Sequence, residues 1–264
     1  RLFQRTAQWV LPVPNPPVPD DERDLLRRDP AAVVARRAHL TETFEGSFAD
    51  AVIDANSPQL EVIQELCRAN LEDNVADPEL RERLRPDHRA ACKRLIVAPG
   101  FYQAIQRPNA HLVTSPIDRA EARGLRTADG VLHELDVLVL ATGFRADRFL
   151  RPIEVTGRDG VTIDEAWAER PSAYLGLSVP GFPNLFLLNG PNGPVGNFSL
   201  IEVAELQMSY VLRLLDLLRS GTGQEIVATA AAADRFEAER VEAARHTVWV
   251  TGGRSWYLDD RGIP

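Results

Sequence analysis

Cysteine is scarce in this chain, and the short motifs of the common hydrolases and nucleotide-binding proteins are missing. The two cysteines, Cys67 and Cys92, form no CxxC pair and have no histidine at ligand spacing, which excludes a recognisable zinc site and argues against a disulfide framework. No G-x-S-x-G elbow, H-E-x-x-H sequence, P-loop or G-x-G-x-x-G fingerprint occurs. Cys67 shares a helical stripe with Leu60, Ile63 and Leu71, so we expect it to be a reduced core residue.

Long apolar runs and a basic surface are also missing. No apolar run approaches the roughly 20 residues that a membrane-spanning helix needs, and the first residues do not resemble a signal peptide. We therefore expect a cytoplasmic protein with no membrane partner. The net charge of −8 argues against nucleic acid as a partner, because neutralising phosphates takes clustered Lys and Arg. With 264 residues, 44% of them hydrophobic, the chain is long enough to bury a core.

The first half of the chain predicts strands, a connector and then helices. Short apolar segments at 2–3 and 9–11 predict strands, and five prolines in the eight positions 12–19 predict an extended connector. Residues 20–84 predict several helices, with Asp20 or Asp21 as the first N-cap and prolines 30, 58 and 78 at later helix starts. Residues 94–135 predict short strands, with Asp129-Gly130 as a hairpin turn.

The second half predicts two buried strands and two helices, which makes the fold class α/β. Residues 136–142 contain an unbroken run of Val, Leu and Ala, typical of a strand covered on both faces as in dinucleotide-binding proteins. Residues 184–188 predict a second such strand, which leads into a glycine-rich loop. A capping box formed by Ser199 and Glu202 predicts the start of the next helix, and residues 231–246 predict another.

Two features of this pattern could carry chemistry. A helix N-terminus after a glycine loop suits a phosphate or the pyrimidine edge of a flavin, although an ordinary turn between a strand and a helix explains the same pattern. Lys93 and Arg94 stand side by side before a predicted strand. Because successive strand side chains diverge, each cation could serve a different anion. The alternative for this pair is a solvated basic patch.

Seven sequence blocks, in the same order, resemble the C-terminal half of flavin-dependent Baeyer–Villiger monooxygenases, within the flavin-containing monooxygenase superfamily. The resemblance spans nearly the whole chain. The glycine loop and the tail are most similar to the branch that contains 4-hydroxyacetophenone monooxygenase. The blocks are Phe3–Pro12, Cys92–Arg94, Asp136–Phe144, Tyr174–Leu177, Gly181–Phe186, Gly190–Asn192 and Ser255–Tyr257.

The resemblance implies an activity and a domain organisation. It implies FAD and NADP(H) as cofactors, and a small-molecule ketone and O₂ as substrates that yield an ester or lactone through a C4a-peroxyflavin. Residues 1–92 would contain the end of the NADP-binding domain and a helical insertion. Residues 93–264 would contain the remainder of that domain and the C-terminal part of an incomplete FAD-binding domain.

The resemblance also implies roles for individual residues. Arg94 would be the catalytic arginine, whose permanent charge stabilises developing oxyanions, and Lys93 would contact the 2′-phosphate of NADPH. An Arg94 guanidinium that points to bulk solvent, away from the groove beside residues 142–143 and 190–200, would require the oxygenase assignment to be abandoned. The other expected cofactor contacts are Gln4, Arg5, Thr142, Gly143, Gly190, Pro191, Asn192, Ser199, Leu200 and Trp256.

The chain departs from the family pattern in what it lacks. Both glycine fingerprints are absent, and the sequence opens inside a predicted strand, so we expect an incomplete module whose partner is a missing N-terminal half. The isolated chain should be inactive and should bind FAD poorly, because the FAD pyrophosphate has no glycine loop to hold it. Two alternatives stay open: an N- or S-oxygenating flavin monooxygenase, and a non-catalytic remnant or interaction module.

Overall fold

The computed structural model of the chain describes residues 1–145, 148–193, 198–252, 255, 257–259 and 261–263. It shows a mixed α/β fold, which confirms the expected fold class. The strands are β1 (Leu2–Phe3), β2 (Val10–Leu11), β3 (Ile96–Val97), β4 (Leu112–Val113), β5 (Ile117–Glu121), β6 (Gly124–Thr127) and β7 (Leu132–Glu134). The helices are α1 (Asp20–Arg28), α2 (Pro30–Phe44), α3 (Asp50–Ile53), α4 (Pro58–Asn74), α5 (Pro78–Arg83), α6 (Phe101–Ile105), α7 (Ile163–Ala166), α8 (Leu200–Arg219) and α9 (Ala230–Ala244).

Proline starts three of the helices between residues 20 and 84, as predicted. Pro30, Pro58 and Pro78 occupy the first position of α2, α4 and α5, where a backbone N–H would have no partner in the helix. The aspartate or serine before each proline accepts a hydrogen bond from the backbone N–H two residues later. Each such cap stabilises its helix by about 1 kcal/mol. α1 begins at Asp20 itself, with Pro19 in the cap position.

The sheets are small and mostly match the predicted strands. β1 pairs with β4 and β2 pairs with β3, both in parallel, and Val10 lies opposite Ile96. β5, β6 and β7 form an antiparallel sheet. The predicted hairpin is confirmed, because Asp129 and Gly130 lie in the turn between β6 and β7. The parallel pairs bring the first eleven residues beside the segment that follows Lys93 and Arg94.

The two predicted buried strands are absent from the described structure. Residues 136–142 form no ladder, and Val139 is 79% exposed. An apolar run becomes a strand only when neighbouring strands supply partners for its N–H and C=O groups, and the described chain has none beside it. Residues 184–188 also form no strand. There the N–H of Leu187 donates to the carbonyl of Leu177 in a loop, at 2.8 Å.

α8 begins where the sequence predicted, but the expected capping box is wrong. Ser199 occupies the cap position of α8, and its side chain accepts no hydrogen bond from the helix. The carboxylate of Glu202 instead accepts from the hydroxyl of Thr41 on α2, at 3.1 and 3.3 Å to its two oxygens. A contact between distant helices therefore replaces the local cap. The other predicted helix is confirmed as α9.

One buried cluster joins the two ends of the chain. Trp9 packs with Cys67 of α4, with Cys92 and with Val248, which lies in a 3₁₀ turn after α9. Cys67 is fully buried, as predicted. The cluster contains residues from both sides of the predicted domain boundary at residue 92, and that boundary stays a prediction. Another buried cluster contains Trp167, Phe182 and Leu187.

The buried cysteines should resist thiol reagents in the folded protein. Burial raises the pKa of Cys67 from 9.0 to about 12, so at pH 8 we expect its thiolate fraction, and its alkylation rate, to be about a thousandfold below that of a free thiol. Iodoacetamide labelling followed by peptide mass analysis, with and without denaturant, measures this difference. Labelling of Cys67 in the folded protein as fast as in denaturant would contradict the packing described.

Candidate functional site

Lys93 and Arg94 lie directly before β3. Their neighbours on either side, Cys92 and Leu95, are buried in the cluster that joins the chain ends. Lys93 is half-buried and Arg94 is exposed. The buried neighbours hold the backbone of this pair in place, so the two cations project from a fixed part of the fold.

Tyr257 supports Arg94 from the end of the chain. The Tyr257 hydroxyl is hydrogen-bonded to the Arg94 guanidinium. The phenol ring stacks on Trp249, with the ring centroids 5.0 Å apart and the planes at 21°. Burial raises the pKa of the Tyr257 phenol, although Arg94 acts in the opposite direction, so the phenol is neutral near pH 7. Its oxygen is therefore an acceptor that does not neutralise the guanidinium.

The charge of Arg94 is not balanced inside the described structure. No carboxylate in the described part of the chain forms an ion pair with Arg94, whereas Arg68, Arg126 and Arg170 each have such a partner. Sequence reasoning missed Tyr257, although the Ser255–Tyr257 block contained it. Trp256, the residue predicted from that block, lies outside the described residues.

The N-terminal candidates lie on the strand that pairs with β4. The backbone N–H of Gln4 donates to the carbonyl of Val113, at 2.9 Å. The side-chain Nε2 of Gln4 is buried and has no hydrogen-bond partner among the described residues. Arg5 is exposed. Because buried donors in folded proteins are almost always paired, Nε2 of Gln4 has a free bond to offer a ligand or an ordered water.

The glycine loop at 190–192 is held tightly against the chain. The N–H of Gly190 donates to the carbonyl of Gly176, at 3.1 Å. A Cβ at Gly190 would lie 2.4 Å from the same oxygen, so no larger residue fits there. Pro191 is fully buried, and Asn192 is half-buried with a φ of 63°. The loop is therefore anchored by packing, and Asn192 is its more accessible end.

A glutamine of α8 fixes the residue before this loop. Oε1 of Gln207 accepts from the backbone N–H of Asn189, at 2.8 Å, and Nε2 of Gln207 donates to the carbonyl of Leu175, at 3.2 Å. The Asn189 side chain donates to the carbonyl of Leu200, while its Oδ1 is buried without a partner. Sequence reasoning missed Gln207. The signal that could have identified it is its spacing: Gln207 lies four positions after Val203 and four before Val211, on the buried face of the helix.

The start of α8 forms one wall of a shallow apolar pocket. Ser199 and Leu200 are both exposed at this end of the helix, and Leu200 lies beside Asn189. The pocket has a volume of about 350 Å³. It is lined by Asn189, Leu200, Ile201, Ala204, Glu205 and Met208.

Thr142 and Gly143 follow the exposed segment at 136–141 and lie in neither a helix nor a strand. Both are exposed, Gly143 has a φ of 98°, and a Cβ added to it would meet no atom within 4 Å. Within the described ranges no hydrogen bond or ion pair connects them to Arg94 or to the glycine loop. The structure thus brings Arg94 together with Tyr257, and Asn189 with Leu200. It shows no direct contact between Arg94 and residues 142–143, so this expected neighbourhood stays a prediction.

Two kinds of site are absent from the described residues. No group of His, Cys, Asp and Glu in these ranges could hold a metal ion. None of the helices formed by them has both the length and the apolar character needed to cross a bilayer.

Comparison with known proteins places the chain among flavin monooxygenases. It is 44% identical over 266 residues to an uncharacterized monooxygenase of Mycobacterium tuberculosis, covering 100% of this chain and 52% of that protein. It is 35% identical over 263 residues to a Baeyer–Villiger monooxygenase of Streptomyces coelicolor, covering 99% and 50%. The structure of OTEMO in complex with FAD and NADP superposes with a TM-score of 0.80 at 28% identity, covering 97% of this chain and 55% of that one.

The chain matches the C-terminal half of Baeyer–Villiger monooxygenases. Its fold matches the C-terminal part of their solved structures. The chain spans about half the length of the curated relatives it matches. No model in a scan of protein families matches it. The resemblance inferred from the seven blocks is confirmed at the level of the family, and the 4-hydroxyacetophenone branch stays a prediction.

The unpaired segment at 136–142 should dominate the apolar surface of the isolated chain. Val137, Val139 and Leu140 are 75%, 79% and 75% exposed. We expect Val139→Asp to lower the fluorescence of the apolar dye ANS bound to the chain, with a change in unfolding free energy of no more than about 0.5 kcal/mol. Val34→Asp is the matched control, because Val34 is 69% exposed on α2. An equal loss of fluorescence in both variants would show that the dye does not report on this segment.

Proposed function

We propose that this chain forms the C-terminal half of an FAD- and NADPH-dependent enzyme that uses O₂ to convert a ketone into an ester or lactone. The observation that carries the proposal is Arg94. It is a permanent cation on a fixed backbone, without a carboxylate partner among the described residues, and it is hydrogen-bonded to the neutral phenol of Tyr257. A site that must stabilise negative charge needs such an unneutralised cation. The match to Baeyer–Villiger monooxygenases supports this use of it.

The residues present fit the cofactors in three places. Nε2 of Gln4 and Oδ1 of Asn189 are buried polar atoms without partners, and a dinucleotide or flavin could complete their hydrogen bonds. At Gly143 the backbone is open to close approach, since no atom lies within 4 Å of where a Cβ would be. Gln4, Arg5 and Lys93 would then hold the nicotinamide nucleotide.

The flavin side of the site would be formed by other elements. Thr142 and Gly143 would lie on the flavin, and the loop at 190–192 with the start of α8 would border its ring. The OTEMO structure, which contains FAD and NADP, supports a bound pair of cofactors for this fold.

The roles of the two cations follow from their chemistry. Bound NADPH and FAD supply the hydride and the electrons that activate O₂. Arg94 supplies a fixed positive charge that stabilises the negative charge that develops on oxygen when the ketone carbonyl is attacked. Tyr257 orients that guanidinium. Lys93 supplies a compact charge for the 2′-phosphate that distinguishes NADPH from NADH.

We further propose that the isolated chain is inactive and that it acts with an N-terminal half. The sequence contains no G-x-G-x-x-G fingerprint. Without such a loop the pyrophosphate of FAD loses the backbone N–H groups that usually bind it. Two measurements would support this division: the isolated chain stays colourless after incubation with FAD, and the complete polypeptide shows flavin absorbance.

Arg94→Ala in the complete FAD-containing polypeptide should abolish ester formation. We expect ester yield from a panel of ketones to fall about a hundredfold or more, because the developing oxyanion loses its cation, while NADPH still reduces the flavin. Gas chromatography of the products and stopped-flow absorbance of the flavin measure the two steps. Arg27→Ala on the exposed face of α1 is the control. An unchanged ester yield in the Arg94 variant would refute the role assigned to this residue.

Lys93→Ala should weaken the preference for NADPH over NADH. Loss of the charge–phosphate contact should raise the KM for NADPH about tenfold and leave the KM for NADH unchanged. Lys93 is the only lysine of this chain, so amine labelling and peptide mapping can also test whether NADP⁺ protects it. Equal effects on both nucleotides, together with unprotected Lys93, would contradict the assignment.

A further inference from the structure

Four charged side chains meet between the glycine loop, α9 and the end of the chain. The Glu237 carboxylate of α9 accepts from Nδ2 of Asn192, at 3.0 Å, and from Nε of Arg240, at 2.9 Å. It also forms an ion pair with Arg170. Arg170 in turn lies 3.6 Å from a carboxylate oxygen of Asp259. We call these four residues, Arg170, Glu237, Arg240 and Asp259, the Glu237 cluster.

The cluster is largely removed from solvent. Arg170 and Arg240 are each 17% exposed, and Glu237 and Asp259 are each 24% exposed. Burial lowers the pKa of both arginines, and the charge of Arg240 lowers the pKa of Arg170 further. Two cations at this depth repel each other, so the carboxylates between them are needed to hold them together. An exposed ion pair would place no such demand on its carboxylate.

Glu237 connects this cluster to the candidate site through its hydrogen bond with Asn192. Asn192 ends the glycine loop with a φ of 63°, a backbone conformation that needs support from its surroundings. On the other side of the cluster, Asp259 follows two residues after Tyr257, which is bonded to Arg94. The path Asn192–Glu237–Arg170–Asp259 therefore connects the loop to the segment that supports Arg94.

We propose that Glu237 is a positioning residue for the flavin site, which fixes the position of the glycine loop relative to the segment that carries Tyr257. The inference rests on the proposed function, because it assigns the loop a flavin neighbour. Glu237 touches no cofactor itself in this role. It acts through the Asn192 side chain and through the two arginines.

The test compares Glu237→Gln with Glu239→Gln in the complete FAD-containing protein. Glu239 is exposed on the same helix, so its variant controls for a lost charge on α9. We expect Glu237→Gln to raise the FAD dissociation constant about tenfold, to change the visible circular dichroism of the bound flavin and to increase amide exchange at residues 190–193. Glu239→Gln should match the wild type in all three, and Glu237→Asp, which keeps the charge, should recover part of the loss.

A double-mutant cycle isolates the contact to the loop. The effects of Asn192→Ala and Glu237→Ala on FAD affinity should be less than additive, because both remove the same hydrogen bond. Additive effects would overturn the proposal. If a Glu237 variant does not fold, Asn192→Ala alone must still change the flavin circular dichroism, and an unchanged spectrum would overturn the proposal as well.

Two outcomes separate this inference from the proposed function. Lower stability of Glu237→Gln with unchanged FAD affinity and loop exchange would show an ordinary structural ion pair and overturn the inference, whatever the enzyme does. Conversely, an Arg94→Ala variant that still forms ester would defeat the proposed function. Amide exchange at residues 190–193, measured without cofactor, would still report whether Glu237 holds the loop.

Discussion

The packing of Cys92 against the end of the chain is the constraint on which the candidate site depends. A Cβ at Gly252 would lie 2.1 Å from Sγ of Cys92, so the two segments meet with no room for a side chain between them. Trp9 and Val248 close the same buried cluster. This contact places the backbone of the two cations that follow Cys92 beside the segment that carries Tyr257. A cation fixed in this way costs little reorganisation when negative charge develops near it.

The second half of the site is organised by polar side chains of two helices. Gln207 lies on the buried stripe of α8 and satisfies the backbone around Asn189, while Glu237 holds Asn192 from α9. A buried polar group that lost its partner would cost about 1–3 kcal/mol. These glutamine and glutamate side chains therefore specify one loop conformation more strictly than apolar packing would. Side chains from α8 and α9 are thus hydrogen-bonded to Asn189 and Asn192, at the two ends of this loop.

The segment at 136–142 has the sequence pattern of a buried strand, but in the described structure it is exposed and unpaired. Four consecutive large apolar residues, from Val137 to Leu140, are each at least 48% exposed. Such a run is favourable only when both of its faces are covered. The chain spans about half the length of its curated relatives, and a partner half that supplies the missing strands would satisfy this segment.

The sequence by itself determined the features whose causes are local. Proline at a helix start, Asp-Gly in a hairpin and an apolar stripe on a helix act within a few residues, and the structure agrees with each of them. The adjacency of Lys93 and Arg94 was equally plain. Only the tertiary structure decided the partner of Glu202, which is 161 positions away, and the contacts that Tyr257 makes with Arg94 and Glu237 makes with Asn192. The tertiary structure also decided that residues 136–142 are unpaired, because a strand forms only if residues distant in sequence supply its hydrogen bonds.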